Sequence, residues 1–315
     1  MIENFKKEVL EGLSASPKYL SSKYFYDEKG DALFQQIMRM PEYYLTDCEF
    51  EIFSEQRSAI VEAFQLDKTQ PFELIELGAG DGIKTVQLLS HLMSENYNFE
   101  YLPIDISQNA LSKLESSLSK KLKGIKVKGQ QGEYFQILED LISSSCPKVI
   151  LFIGSNIGNL TDDQATAFIG EMASKLKAGD KLLLGVDLIK KEDIILPAYN
   201  DKAGITRAFN LNLLSRINRE LGGTFDVSRF DHCPSYDSST GLTRSFLKST
   251  TQQDVYIESL DQTFSFALGE LIQTETSRKY NDQILSKIIQ TTRFEITHKF
   301  TDRRQYFTDY LLTIR

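Results

Sequence analysis

The chain has 315 residues, 41% of them hydrophobic, with a formal net charge of -8 at neutral pH. That length is enough to bury a large core, and the acidic balance argues against a duplex-DNA binder, whose affinity comes from clustered Lys and Arg. No run approaches the roughly 18 apolar residues needed to cross a bilayer, and the first residues, with Glu3, Lys6 and Lys7, lack the apolar stretch of a signal peptide. The expected setting is the cytoplasm, with small-molecule chemistry and no membrane or nucleic-acid partner.

Cys48, Cys146 and Cys233 are odd in number and widely spaced, so no disulfide framework is expected. His91, His232 and His298 show none of the close spacings of a zinc site, so no metal is expected. The adjacent His232 and Cys233 lack a third, orienting partner and make a poor nucleophile pair.

In chain order, residues 72–77 form a short apolar run read as a strand, followed by a glycine turn and a helix over 85–93 carrying Val86, Leu88, Leu89 and Leu92. Residues 101–106 read as a second strand, and Ser107 as the N-cap of a helix with Leu111, Leu114 and Leu118. A near-continuous apolar strand over 148–153 precedes a helix over 162–176, with Phe168, Ile169 and Met172 inward, then a turn at 178–180 and a strand over 181–187. Continuous apolar strands alternating with helices predict a parallel sheet covered on both faces.

After Asp187 the rhythm changes. A helix over 208–221, the turn Gly222-Gly223 and alternating segments at 245–249 and 253–257 suggest an inserted lobe. A helix over 281–291 and strands over 294–300 and 307–314 then return as an antiparallel hairpin that completes the sheet edge. The predicted division is 1–52 with the inserted lobe, 53–187 as the nucleotide-type domain, 188–278 as the substrate lobe, and 279–315 returning to the first domain.

The loop Glu76-Leu77-Gly78-Ala79-Gly80-Asp81-Gly82 stands where a buried strand hands over to a helix. Ligands of open α/β sheets bind there, and glycines let backbone approach them closely. A dinucleotide fingerprint needs its third glycine one residue later, where this chain has Ile83, and no GxxxxGK[ST] pattern occurs. Asp105, at the end of the second strand, can accept from both ribose hydroxyls of a nucleoside cofactor. The plainer alternative is that Asp105 caps the next helix and the glycines only make a turn. Their order on consecutive βα units favours the cofactor.

The motifs Ser16-Pro17-Lys18-Tyr19-Leu20, Tyr24 through Gly30, Met40-Pro41-Glu42-Tyr43-Tyr44, the glycine loop with Lys84-Thr85, Gly154 through Asn159, Ala198 through Gly204, and Thr274-Glu275-Thr276-Ser277 together resemble the L-histidine Nα-methyltransferase family of ergothioneine biosynthesis. The likeness spans nearly the whole chain. It implies a class I, Rossmann-like S-adenosylmethionine methyltransferase sheet with a second, smaller α+β substrate lobe, acting as a monomer on a free amino acid. By this resemblance Gly78, Gly80, Lys84 and Asp105 contact the cofactor, with Glu133 and Tyr134 beside its adenine. Glu133 stands where the family usually has Asp.

The resemblance also places Tyr26 and Tyr43 near the substrate α-amine, Asn159 and Tyr199 on its carboxylate and amine, and Glu275 with Ser277 on the imidazole. Read alone, Asn159 is equally a turn residue after Gly158, Tyr43 and Tyr199 are ordinary packing residues, and Glu275 a solvated charge. Ser245 departs from the family, which usually has Met there. A smaller, more polar residue admits another aromatic amino acid, such as tryptophan or tyrosine, as the alternative substrate. Methyltransferases of nucleic acids or proteins, and a non-catalytic relative, fit the acidic balance and intact motifs less well.

Overall fold

The computed structural model describes residues 2–132 and 144–315. Its contacts divide the chain into two units, one of Met1–Tyr44 with Lys190–Arg278, the other of Leu45–Ile189 with Lys279–Arg315. In chain order the strands are β1 (Lys18–Tyr19), β2 (Phe72–Leu77), β3 (Phe99–Asp105), β4 (Gln130–Gln131), β5 (Lys148–Phe152), β6 (Lys181–Asp187) and β7 (Phe230–Asp237). They continue with β8 (Leu242–Ser249), β9 (Gln253–Ile257), β10 (Gln262–Phe266), β11 (Leu271–Arg278), β12 (Phe294–Thr301) and β13 (Phe307–Ile314).

The unit containing residues 45–189 is built on a seven-stranded sheet in the order β12-β13-β6-β5-β2-β3-β4. The run from β4 to β6 is parallel, while β13 lies antiparallel to β6 and β12 to β13. This is the class I sheet with its reversed terminal hairpin. Every residue of β5 and β6 is buried, as expected for strands covered on both faces. Edge strand β12 instead exposes Glu295 and Lys299, charges that discourage further strand pairing. The helix Asp162–Lys175 opens on a capping box of Thr161 and Gln164 and buries Phe168, Ile169 and Met172 in the core beneath the sheet.

Strand order reverses beside β2: the chain places β3 and β4 on one side and β5 and β6 on the other. The loops leaving β2 and β5 therefore flank a topological switch point, the favoured ligand position of such sheets. The second strand spans 99–105 rather than 101–106, so Ile106 lies beyond it, 39% exposed.

The other unit has a four-stranded sheet, β1-β11-β8-β7, and a separate β9–β10 hairpin. The helix Ile205–Leu221 lies against the sheet and buries Phe209, Leu213, Leu214 and Ile217 with Leu247, Phe230 and Ile272. It begins three residues before the expected 208, because the Asp201 carboxylate accepts from the backbone N–H groups of Ile205 at 2.9 Å and Thr206 at 2.8 Å. It ends at Gly222, φ 66°, the left-handed cap that glycine adopts without strain. The N-terminal helices Ile2–Ser14 and Glu28–Ile37 belong to this unit. Asp27 caps the second, accepting from Gly30 N at 2.7 Å and from Asn212 Nδ2 at 2.8 Å.

One irregularity sets the chemistry of this sheet. Ile272 pairs with Leu247 and Glu275 with Ser245, so the β11–β8 register shifts between Gln273 and Glu275. A bulge of this kind inserts one residue and re-aims those that follow. Without it Glu275 and Ser277 would alternate onto the face opposite Ile272. With it they share the face of Ser245 and Thr243.

Candidate active site

At the end of β2, Gly78 and Gly80 take φ values of 73° and 54°, in the left-handed region that side chains disfavour. A Cβ on Gly80 would meet no protein atom within 4 Å, so this loop presents backbone to open space. Asp105 ties the two βα loops together: one carboxylate oxygen accepts from Gly80 N at 3.1 Å and the other from Ser107 N at 2.9 Å. It therefore does more than begin the next helix, whose cap is Ser107, accepting from Ala110 N at 3.2 Å. Burial raises the Asp105 carboxyl above its ordinary range, against the N–H donors of Ser107 and Gly80. Backbone donors on a glycine loop and a carboxylate at the neighbouring strand end fit a nucleoside cofactor.

Two carboxylates that the motif reading gave no role hold this loop. Glu76, 1% exposed, accepts from Tyr101 Oη at 2.5 Å and Thr85 Oγ1 at 2.8 Å. Burial pushes its carboxyl up to about 7, against the pull of the two hydroxyls. The signal available in the sequence was an acidic residue inside the otherwise apolar end of Phe72–Leu77. Glu49, fully buried, forms an ion pair with Lys84 and accepts from Gly154 N. Burial opposes the charge on Lys84, but Glu49 outweighs it and the ammonium is held above its usual range. The structure thus places Lys84 on a buried carboxylate.

Gly154 begins the loop after β5, with φ 76°, and Ser155 follows at φ 58°. Ser155 Oγ accepts from Asp187 N at 3.0 Å, and the turn closes as a 3-10 helix over Asn156–Asn159. Asn159 ends that turn and is exposed. Asp309 lies close to Glu49, since a Cβ on Gly185 would meet Glu49 Oε1 at 2.2 Å and Asp309 Oδ1 at 2.8 Å. Burial, then the charge of Glu49, pushes the Asp309 carboxyl well above the carboxylate range. A protonated Asp309 can donate toward Glu49, leaving one negative charge for Lys84. Glu133 and Tyr134 lie outside the described residues.

In the unit of residues 190–278, the predicted substrate residues gather in two groups. Ser245 Oγ donates to Glu275 Oε2 at 3.2 Å, and Tyr199 Oη donates to Ser277 Oγ at 2.8 Å. Tyr199 is 7% exposed, Ser277 6% and Ser245 1%, while Glu275 is half-buried, so this is a largely buried polar group against one sheet face. The second group is aromatic. Tyr26 stands edge-on to Phe34, ring centroids 5.5 Å apart, and Phe34 edge-on to Tyr43 at 6.4 Å, an arrangement favoured by ring quadrupoles. Tyr26 and Tyr43 are therefore fixed through Phe34, a residue the motifs did not single out.

Among the described residues, no cluster of three or more His, Cys, Asp or Glu could hold a metal ion, and no helix is long and apolar enough to cross a membrane.

A family model described as histidine-specific methyltransferase, SAM-dependent, matches residues 5–314. The histidine N-alpha-methyltransferase of Mycolicibacterium smegmatis is 34% identical over 300 residues, spanning 95% of this chain and 92% of its own. That of Mycobacterium tuberculosis is 35% identical over 278 residues, 88% and 85% of the two chains. A more distant relative, the L-tryptophan methyltransferase trpM of Psilocybe serbica, is 26% identical over 336 residues, 99% and 93% of the two chains.

Proposed function

Because this chain belongs to the family of histidine-specific, S-adenosylmethionine-dependent methyltransferases, we propose that it methylates the α-nitrogen of free L-histidine. Three successive transfers give the betaine hercynine, the entry to ergothioneine, and the enzyme works as a cytoplasmic monomer. The observation that carries the substrate reading is the largely buried face on which half-buried Glu275 is bonded to Ser245 and Ser277 to Tyr199. An ionised carboxylate accepts from a ring N–H, and a charge-assisted bond of that kind contributes about 1.5–3 kcal/mol.

S-adenosylmethionine brings an activated methyl group, so the protein needs no nucleophile of its own. Gly78, Gly80 and Asp105 would hold it, with Lys84 fixing the loop. Tyr26, Tyr43 and Asn159 would orient the amine, and Asn159 and Tyr199 would bind the amino-acid head group. These are neutral groups. A site of neutral hydrogen-bonding partners disfavours ammonium and lowers its pKa, leaving the lone pair available. Holding that lone pair in line with the methyl contributes up to about 7–11 kcal/mol.

A second reading is Nα-methylation of another aromatic amino acid, tryptophan or tyrosine. Ser245 in place of the family's usual Met favours it, and so does the likeness to the tryptophan enzyme. Steady-state kcat/KM for histidine, tryptophan and tyrosine separates the two: the first reading expects histidine to lead by orders of magnitude, and a lead by either rival overturns it.

A further inference from the structure

One side chain reaches both ligand loops of the seven-stranded sheet without belonging to either. Glu49 lies on the helix Tyr44–Glu55 and is fully buried. Its carboxylate accepts from Gly154 N at 2.8 Å through Oε1 and at 3.0 Å through Oε2, and Oε2 also pairs with the Lys84 ammonium. Gly154 leads into the turn Asn156–Asn159, and Lys84 is the N-cap of the helix Thr85–Ser94 that follows the glycine loop. A Cβ on Gly154 would stand 3.4 Å from Lys84 Nζ, so the two loops come close where Glu49 holds them.

Stability is a poor explanation for charge at this position. Apolar residues of similar volume in place of a buried ion pair often leave a protein as stable as before, or more so. The sheet is also shaped for the carboxylate: Gly185 on β6 leaves the room that a Cβ would take from Glu49 and Asp309. Lys84 keeps 20% of its side chain exposed. An ammonium has three N–H donors, and Glu49 is the one acceptor of Lys84 among the described residues. Two donors remain for a ligand.

Resting on the methyltransferase reading and on the amino-acid site around Asn159, we propose that Glu49 is a positioning residue that serves both ligands while touching neither. Through Lys84 it fixes a cation for the carboxylate of S-adenosylmethionine, and through Gly154 it fixes the turn that brings Asn159 to the amino acid. A loop ordered before its ligand arrives spares binding the cost of ordering it. Loss of Glu49 therefore weakens two sites, whereas loss of Lys84 weakens one.

The test uses the full-length protein as wild type, Glu49→Met, Lys84→Met and the double variant. Calorimetry gives the Kd of S-adenosylhomocysteine, the unreactive product of the cofactor, and the Kd of L-histidine with S-adenosylhomocysteine saturating. Glu49→Met should weaken both by about 5-fold or more, and Lys84→Met only S-adenosylhomocysteine. The double variant should match Lys84→Met for S-adenosylhomocysteine and Glu49→Met for histidine, because Glu49 acts on the cofactor through Lys84. It carries no unpaired buried ion, so it gives the same comparison should Glu49→Met fail to fold. A lowered melting temperature with both affinities intact, a loss on one ligand alone, or S-adenosylhomocysteine losses that multiply in the double variant would overturn the assignment. A wild type that methylates another amino acid would remove the histidine reading alone, and the same titrations with that amino acid then decide the role of Glu49.

Discussion

Replacing Glu76 with Gln tests how the cofactor loop is anchored. Glu76 lies buried between Tyr101 and Thr85, and burial lifts its carboxyl from 4.5 to about 7. The folded chain keeps a proton that the unfolded chain releases, so stability falls as pH rises from about 4.5 to about 7 and is level above that range. The displacement corresponds to about 3 kcal/mol, as an order of magnitude. Gln cannot ionise, and it still offers a carbonyl to Tyr101 and Thr85, so the variant lacks this pH-dependent loss. Any fixed cost of its amide hydrogens is the same at every pH. Urea midpoints followed by circular dichroism at pH 5 and pH 8, for both proteins, isolate the effect. The difference between wild type and variant should move in favour of Gln by about 2.5 kcal/mol across that interval, most of it below pH 7. Parallel pH profiles would show that Glu76 does not titrate there and would refute the argument.

Asp105→Ala should weaken S-adenosylmethionine binding while Asn159→Ala weakens mainly amino-acid binding; calorimetry giving the reverse pattern would exchange the two roles. Ser245→Met removes the donor to Glu275 and narrows the space, so it should sharpen preference for histidine, and unchanged kcat/KM ratios against tryptophan and tyrosine would sink that reading. Gly185→Ala drives a methyl into Glu49 and Asp309 and should cost about 1–3 kcal/mol as an overpacked core; a melting temperature equal to wild type would mean the carboxyl pair can move aside.

The sheet was legible where periodicity and punctuation agree. Apolar strands before Gly78 and Asp105, and the late pair at 294–300 and 307–314, each stand between recognisable turns, and the observed β12 and β13 form the expected hairpin beside β6. Ser107 announces its helix because a cap acts within three residues of itself. The N-terminal helices were not read as elements: Ile2–Ser14 and Glu28–Ile37 carry mixed polar and apolar residues whose order comes from packing within their unit. The start at Ile205 depends on Asp201, four residues upstream, where no standard cap position points.

Other features are set by contacts that no local window contains. Glu49, Lys84, Gly154 and Asp309 are scattered through the chain, and only the folded sheet joins them. Glu275 and Ser277, two residues apart, lie on one face of β11. Their sharing it with Ser245 and Thr243 depends on the bulge after Gln273, which a regular alternation does not reveal. Motif resemblance named Glu275 and Ser277.

The most direct test of the central claim is mass spectrometry of the purified protein incubated with S-adenosylmethionine and all twenty amino acids. Histidine alone should gain three methyl groups, all on its α-nitrogen. Methylation confined to tryptophan or tyrosine, or to a ring nitrogen of histidine, would contradict it.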